Sequence, residues 1–122
     1  MNVGISVTQI GVLVCYAMAM AAGQVLFKLA AQKITPGGTL PERLLALAHN
    51  GYFAAAVALY VALTVFWVWI LTFTPLSRAY AFVALAFVLT PLAGVALFGE
   101  PISVRFVVGI GFVVVGLACV AG

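Results

Sequence analysis

The chain has 122 residues; 67% are apolar, 6% are charged, and the formal net charge is +3. Ordinary soluble domains carry about 25% charged residues, so the composition excludes a water-soluble domain and places the chain in a bilayer. The two cysteines, Cys15 and Cys119, exclude a multiply bridged extracellular scaffold, and five scattered Lys and Arg residues lack the clustered stripe of a nucleic-acid binder.

A hydrocarbon core needs about 20 apolar residues for each helical crossing. The first stretch of that length runs from Thr8 to Ala31. Nothing basic precedes Ala17-Met18-Ala19, so a cleaved secretory signal is not expected. Val14 before Cys15 argues against a lipoprotein signal. Pro36-Gly37-Gly38 then stops any helix. Thr39-Leu40-Pro41-Glu42 has the spacing of a capping box, with Thr39 as cap and Glu42 at the third helical position. Leu40 to His49 is therefore expected to form a short helix in the membrane interface, an ordered loop being the alternative. His49 reads as an interfacial polar residue, since no second metal ligand is near it.

The second stretch runs from Gly51 to Phe73, the third from Ala79 to Phe98 and the fourth from Ile102 to Ala121. Thr74-Pro75-Leu76-Ser77 and Gly99-Glu100-Pro101 separate them. Pro91 lacks an N–H and is expected to kink the third span. Membrane strands would be about half as long and would alternate apolar and polar residues. The expected fold is thus an all-α membrane protein, one domain of four transmembrane helices over residues 1–122. Lys33, Arg43 and Arg105, with Lys28 just inside, mark the side of loops one and three, whereas Arg78 is the charged side chain of the other side. The positive-inside rule then puts loops one and three in the cytoplasm and both termini outside.

An ionisable side chain within a span costs about 2.5–3.5 kcal/mol on insertion scales, so each calls for a reason. Gln24 and Lys28 are four apart and share one face of the first span, continued by Met20 and Ala17. Two readings stay open. The face is a polar notch for an anionic or hydroxylated group, or Lys28 snorkels to headgroups while Gln24 bonds a neighbouring helix. Arg78 is either a headgroup anchor or a phosphate or sugar contact at the outer mouth, a guanidinium being suited to bidentate phosphate bonds. Glu100 is at the level of Lys28, either paired with it or solvated in the loop. Tyr60 and Trp67, seven apart, and Tyr80 are candidates for a cavity wall, whereas Tyr52 fits an interface anchor. Ser103 and Thr90 are expected to bond the backbone.

No Asp or Glu lies in the middle of any span, so direct proton coupling is not expected. Gly109 and Gly116, seven apart, align on one face of the fourth span. Small residues let helices approach closely in lipid. The seam is either intramolecular or a subunit interface, and the latter is favoured because four helices enclose only a small pathway. No metal site, cofactor or nucleophilic triad is indicated.

These features together resemble the drug/metabolite transporter superfamily in its four-helix form. Gly23-Gln24-Val25-Leu26-Phe27-Lys28 is similar to the family's glycine-plus-lysine signature. Pro75-Leu76-Ser77-Arg78-Ala79-Tyr80-Ala81 resembles its turn into span three, and Phe98-Gly99-Glu100-Pro101-Ile102 its end of span three. The spacing of Gly109 and Gly116 matches the dimerisation pattern of small multidrug resistance proteins. Those proteins carry a membrane-embedded Glu where this chain has Met20. The resemblance therefore implies their dimeric fold but not their proton-coupled cation export. The Gly-Gln pair and the Ala-Tyr motif look closest to the branch of paired subunits that flip undecaprenyl-phosphate-linked aminoarabinose. That likeness implies a polyprenyl-phosphate carrier moved across a bacterial inner membrane. Tyr60 and Tyr80 match positions that line the substrate cavity in the small multidrug family.

The leading expectation is a flippase for a lipid-linked headgroup, working as a homodimer or with a similar small subunit. Gln24, Lys28, Tyr60, Trp67, Arg78, Tyr80 and Glu100 are its candidate substrate-binding residues. The alternatives are an exporter of small amphipathic cations or metabolites, and a small accessory subunit of a larger membrane complex. No covalent chemistry is expected.

Overall fold

The computed structural model describes residues 6–121, which form six helices. Helix α1 (Val7–Gln32) begins at Ser6. The Ser6 hydroxyl accepts from the Gln9 N–H, and the Gln9 side chain accepts in return from the Ser6 N–H, so two of the unpaired donors at the helix start are satisfied. Helix α2 (Leu40–Ala48) opens on the expected Thr39–Glu42 capping box and ends at His49.

Helix α3 (Gly51–Leu71) starts at Asn50, a buried residue whose side chain is used at both ends. Its carboxamide oxygen accepts from the N–H groups of Tyr52 and Phe53. Its amide donates to the Ala30 carbonyl in the last turn of α1, at 3.0 Å. One side chain thereby caps α3 and ties it to α1, at a carbonyl that also accepts from the Lys33 N–H. The two helices run antiparallel from this point. Small buried residues, Ala17, Ala21, Gly23 and Ala30 on α1 with Ala56 on α3, mark the interior. Such residues let backbones approach closely where no hydrophobic force acts between helices in lipid. Further along, Leu13, Ile70 and Ala79 form the core, with Tyr16, Phe66, Trp67 and Phe82 packed around it.

The third apolar stretch is divided into α4 (Leu76–Val83) and α5 (Ala86–Phe98). It starts three residues before the expected Ala79, directly after Pro75, the N-cap, whose φ of -58° suits the helix entry while its ψ of 141° is still extended. Its interruption is not at Pro91, which sits inside α5. It lies at Ala84–Leu85, where the N–H groups of Leu85, Phe87 and Val88 bond the carbonyls three residues back, the tighter 3₁₀ pattern. The donor missing at Pro91 concerns the Phe87 carbonyl, beyond this turn, and nothing in Val83-Ala84-Leu85-Ala86 explains the break. Helix α5 ends at Gly99, whose φ of 61° is the left-handed conformation that favours glycine at a helix C-terminus.

Helix α6 (Val104–Ala121) opens where the Ser103 hydroxyl accepts from the Phe106 N–H. It packs on α4 and α5, while α1 sits at the centre against α3, α4 and α5.

Three segments, Val7–Gln32, Gly51–Leu71 and Leu76–Phe98, are long and apolar enough to cross a membrane by length and composition, and the apolar helix over Val104–Val120 is shorter. Val61, Val65 and Val68 on α3, Phe87 and Leu97 on α5, and Phe112 on α6 are all exposed. That outward apolar surface far exceeds what a soluble monomer presents and suits a multi-pass membrane protein.

Candidate functional site

Two side-chain rows face each other across a groove between α1 and α5. On α1, Met20, Gln24 and Lys28 are spaced by four and so stand on one face. On α5 the row is Thr90, Gly94 and Phe98, continued past the helix end by Glu100. The groove consists of a cleft of about 160 Å3 near Lys28 and Glu100 and a second of about 390 Å3 toward Met20, Phe87 and Pro91. Gln24 and Thr90 line both clefts, so the two adjoin.

At the loop end of the groove the Lys28 ammonium lies 3.7 Å from the Glu100 carboxylate. The side chains are 47% and 45% exposed, so solvent or headgroups reach both and the pair is weakly held. Deeper in, Gln24 is fixed from behind. Its amide donates to the Tyr60 hydroxyl at 2.8 Å, and that hydroxyl donates to the Met20 carbonyl at 2.9 Å. The Tyr60 ring stacks on Phe27, with centroids 5.3 Å apart. Gly23 makes room for it, since a β-carbon there would collide with the ring. The relay commits one of the two amide hydrogens of Gln24 and holds its head at the groove wall.

The other candidates lie elsewhere. Trp67 packs on Tyr16 and edge-on against Tyr80, with centroids 5.1 and 6.2 Å apart. This aromatic cluster sits in the other half of the bundle, outside both groove clefts. Arg78 is half-buried in the first turn of α4. The structure thus brings Gln24, Lys28, Tyr60 and Glu100 together, and keeps Trp67, Tyr80 and Arg78 apart from them. Gly109 and Gly116 face open space, with no atom within 4 Å of a β-carbon built on either. Among the described residues they form no seam with another helix.

Sequence reasoning missed two groove residues. Thr90 was expected to bond the backbone, as the hydroxyls of Thr64 and Thr72 do. Among the described residues no such bond is made by Thr90, which instead lines both clefts. Gly94 gives the Glu100 carboxylate its place. The signal for both was their four-residue spacing with Phe98, opposite the same spacing on α1. Among the described residues no three of His, Cys, Asp and Glu gather into a metal-binding group.

No family model matches the chain, and no solved structure gives a significant match. A curated relative does. The chain is 33% identical over 98 residues, 80% of its length and 83% of the relative's, to the probable 4-amino-4-deoxy-L-arabinose-phosphoundecaprenol flippase subunit ArnE of Sodalis glossinidius. The chain belongs to the ArnE family of small membrane transporters. In this ArnE-family member the groove sets four polar side chains, Lys28, Glu100, Gln24 and Thr90, in an otherwise apolar lining.

Proposed function

We propose that the protein moves a polyprenyl-phosphate-linked sugar, or a similar lipid headgroup, across the bacterial inner membrane. The observation that carries this reading is the groove between α1 and α5, with a half-exposed lysine at one end and an oriented carboxamide at mid-depth. A phosphate anion has a reason to enter there: Lys28 offers charge, and Gln24 and Thr90 offer hydrogen bonds to sugar hydroxyls. The prenyl chain stays in lipid because the groove is open. The ArnE relative, a probable flippase subunit for 4-amino-4-deoxy-L-arabinose-phosphoundecaprenol, supports the same substrate class. The work is translocation without covalent chemistry, and no cofactor enters it.

In this reading α6 is the fourth membrane span. Its 18 residues fall within the range that crosses a hydrocarbon core. The open glycine face of α6 meets a second subunit, either another copy or a similar small protein. Lys33, Arg43 and Arg105 hold loops one and three in the cytoplasm, with both termini outside. Lys28 then receives the phosphate at the cytoplasmic leaflet and Arg78 meets it at the outer one. Direction follows from differential affinity for the two faces or from the lipid gradient.

The test is headgroup translocation by purified protein in liposomes, read with a polyprenyl-phosphate-linked sugar analogue. Transfer to the protected leaflet that is lost in Lys28→Ala supports the reading. Uptake of a soluble amphipathic cation without lipid transfer replaces it with the exporter. Inactivity alone, with activity restored only by a co-purifying partner that is not a similar small subunit, makes the chain an accessory subunit.

A further inference from the structure

Apart from the groove, a cavity of about 490 Å3 lies at the junction of α1, α2 and α3, lined by Lys33, Ala46, His49, Asn50, Gly51 and Tyr52. Its walls are fixed by backbone chemistry. Asn50 ties the start of α3 to the end of α1 and spends its side chain doing so. The His49 Nδ1 lies 2.9 Å from the Leu45 carbonyl. A carbonyl only accepts, so Nδ1 carries the hydrogen and Nε2 is the ring nitrogen left for another partner. Lys33 contributes a permanent charge from the C-terminal end of α1, and Tyr52 a hydroxyl. The nearest carboxylate, Glu42, lines a neighbouring cavity that shares Ala46, and it is engaged by the Thr39 N–H. Arg43 lines that neighbouring cavity as well. With Lys33 and Arg43 against Glu42, the two adjoining cavities carry a net positive charge.

The apolar side of the same junction is also uncovered. Leu40 and Leu44, four apart on α2, are exposed, as is Leu45. Together with Leu47 the first two make a stripe along a short amphipathic helix. A polar cavity carrying positive charge beside an apolar helix face is the arrangement that recognises an anionic lipid at a membrane surface, with phosphate in the cavity and acyl chain along the stripe. We propose that the α1–α2–α3 junction binds the phosphate headgroup of an anionic membrane phospholipid, as a site separate from the α1–α5 groove. Lys33 meets the phosphate, Tyr52 donates to it, and Leu40 and Leu44 cover the first part of an acyl chain. The bound lipid holds α2 against the bilayer surface.

The experiment is native mass spectrometry of the full chain released from mixed phosphatidylglycerol and phosphatidylcholine bilayers, counting retained lipids. Phosphatidylglycerol is expected to be retained over phosphatidylcholine. Lys33→Ala combined with Tyr52→Phe lowers its retention about fivefold or more, the scale of one juxtamembrane charge lost, and Lys33→Arg restores it. Lys28→Ala leaves this adduct in place, which separates the junction from the groove reading. Equal retention of both lipids overturns the proposal. So does unchanged retention in the double variant, or complete displacement of the lipid by inorganic phosphate, which would make the cavity a site for the free anion.

Discussion

Glu100 folds its carboxylate back over Gly94. A β-carbon built on Gly94 would lie 3.1 Å from the carboxylate carbon and closer still to one of its oxygens. The fold-back follows from the end of α5. Gly99 turns the chain in the left-handed conformation, and the Glu100 N–H returns to the Gly94 carbonyl at 3.4 Å. The carboxylate is thereby delivered to Lys28 on the neighbouring helix. Gly94→Ala must push it off. Because the pair is half exposed, the unfolding free energy in detergent should change by less than about 1 kcal/mol. Headgroup translocation should nevertheless fall several-fold, since the mouth of the groove loses its shape. Equal transport by wild type and Gly94→Ala would remove the carboxylate from the mechanism.

The same geometry sets a competition. A phosphate entering the groove must take Lys28 away from Glu100, and the two anions repel. Glu100→Gln removes the competitor, so a fluorescent polyprenyl-phosphate analogue should bind more tightly, by about 1 kcal/mol or roughly fivefold, the upper range for an exposed pair. Lys28→Gln should weaken binding by a similar factor. Weaker binding by both variants would show that the pair acts as a structural clamp rather than as a displaceable gate.

Tyr60 is the inner wall of the site, and two changes separate its roles. Gly23→Ala drives a methyl group into the ring and should cost about 1–3 kcal/mol, the range for overpacking. Tyr60→Phe keeps the ring and deletes the hydroxyl that links Gln24 to the Met20 carbonyl, a loss of about 1 kcal/mol. In detergent unfolding the double variant should stay as destabilised as Gly23→Ala or more, because phenylalanine presents the same edge. Transport by Tyr60→Phe should fall, since Gln24 is no longer oriented.

Asn50 carries more of the fold than its position in a short loop indicates. Asn50→Ala removes the α3 cap and the bond to Ala30 together, and should cost about 2 kcal/mol. Asn50→Asp keeps the cap acceptor but puts a carboxylate against the Ala30 carbonyl, so it should be destabilised as well. Thermal unfolding in detergent distinguishes the cases: tolerance of Asp with sensitivity to Ala would assign the whole effect to capping.

What could be read in advance follows from how local each signal is. The apolar stretches, the Thr39–Glu42 box and the Gly99 turn depend on neighbours within a few residues, and the box and the turn stand at the residues that signalled them. The Gln24–Lys28 face was legible because a four-residue spacing defines a helical stripe. The Asn50–Ala30 bond was not, because it depends on which helices pack together and on their register. Thr90 escaped notice for a related reason: an intramembrane threonine bonds its own backbone by default, and only the facing row on α1 shows that it lines a groove. The interruption at Ala84–Leu85 has no local mark, while Pro91, which has one, lies inside a helix.

Helix α6 supplies the last test. No atom of the described residues lies within 4 Å of a β-carbon built on Gly109 or Gly116, so a side chain at either position starts out into open space. Gly109→Leu with Gly116→Leu should leave monomer unfolding within about 0.5 kcal/mol, the scale of a surface change. If the glycine face joins two subunits by close backbone approach, the same double variant should abolish the dimer in bilayer cross-linking and in light scattering of the detergent-solubilised protein. Transport should be lost with it, while Ala at both positions, still small, retains part of each. A double-leucine variant that cross-links as wild type does would place the contact between subunits on another face of the bundle.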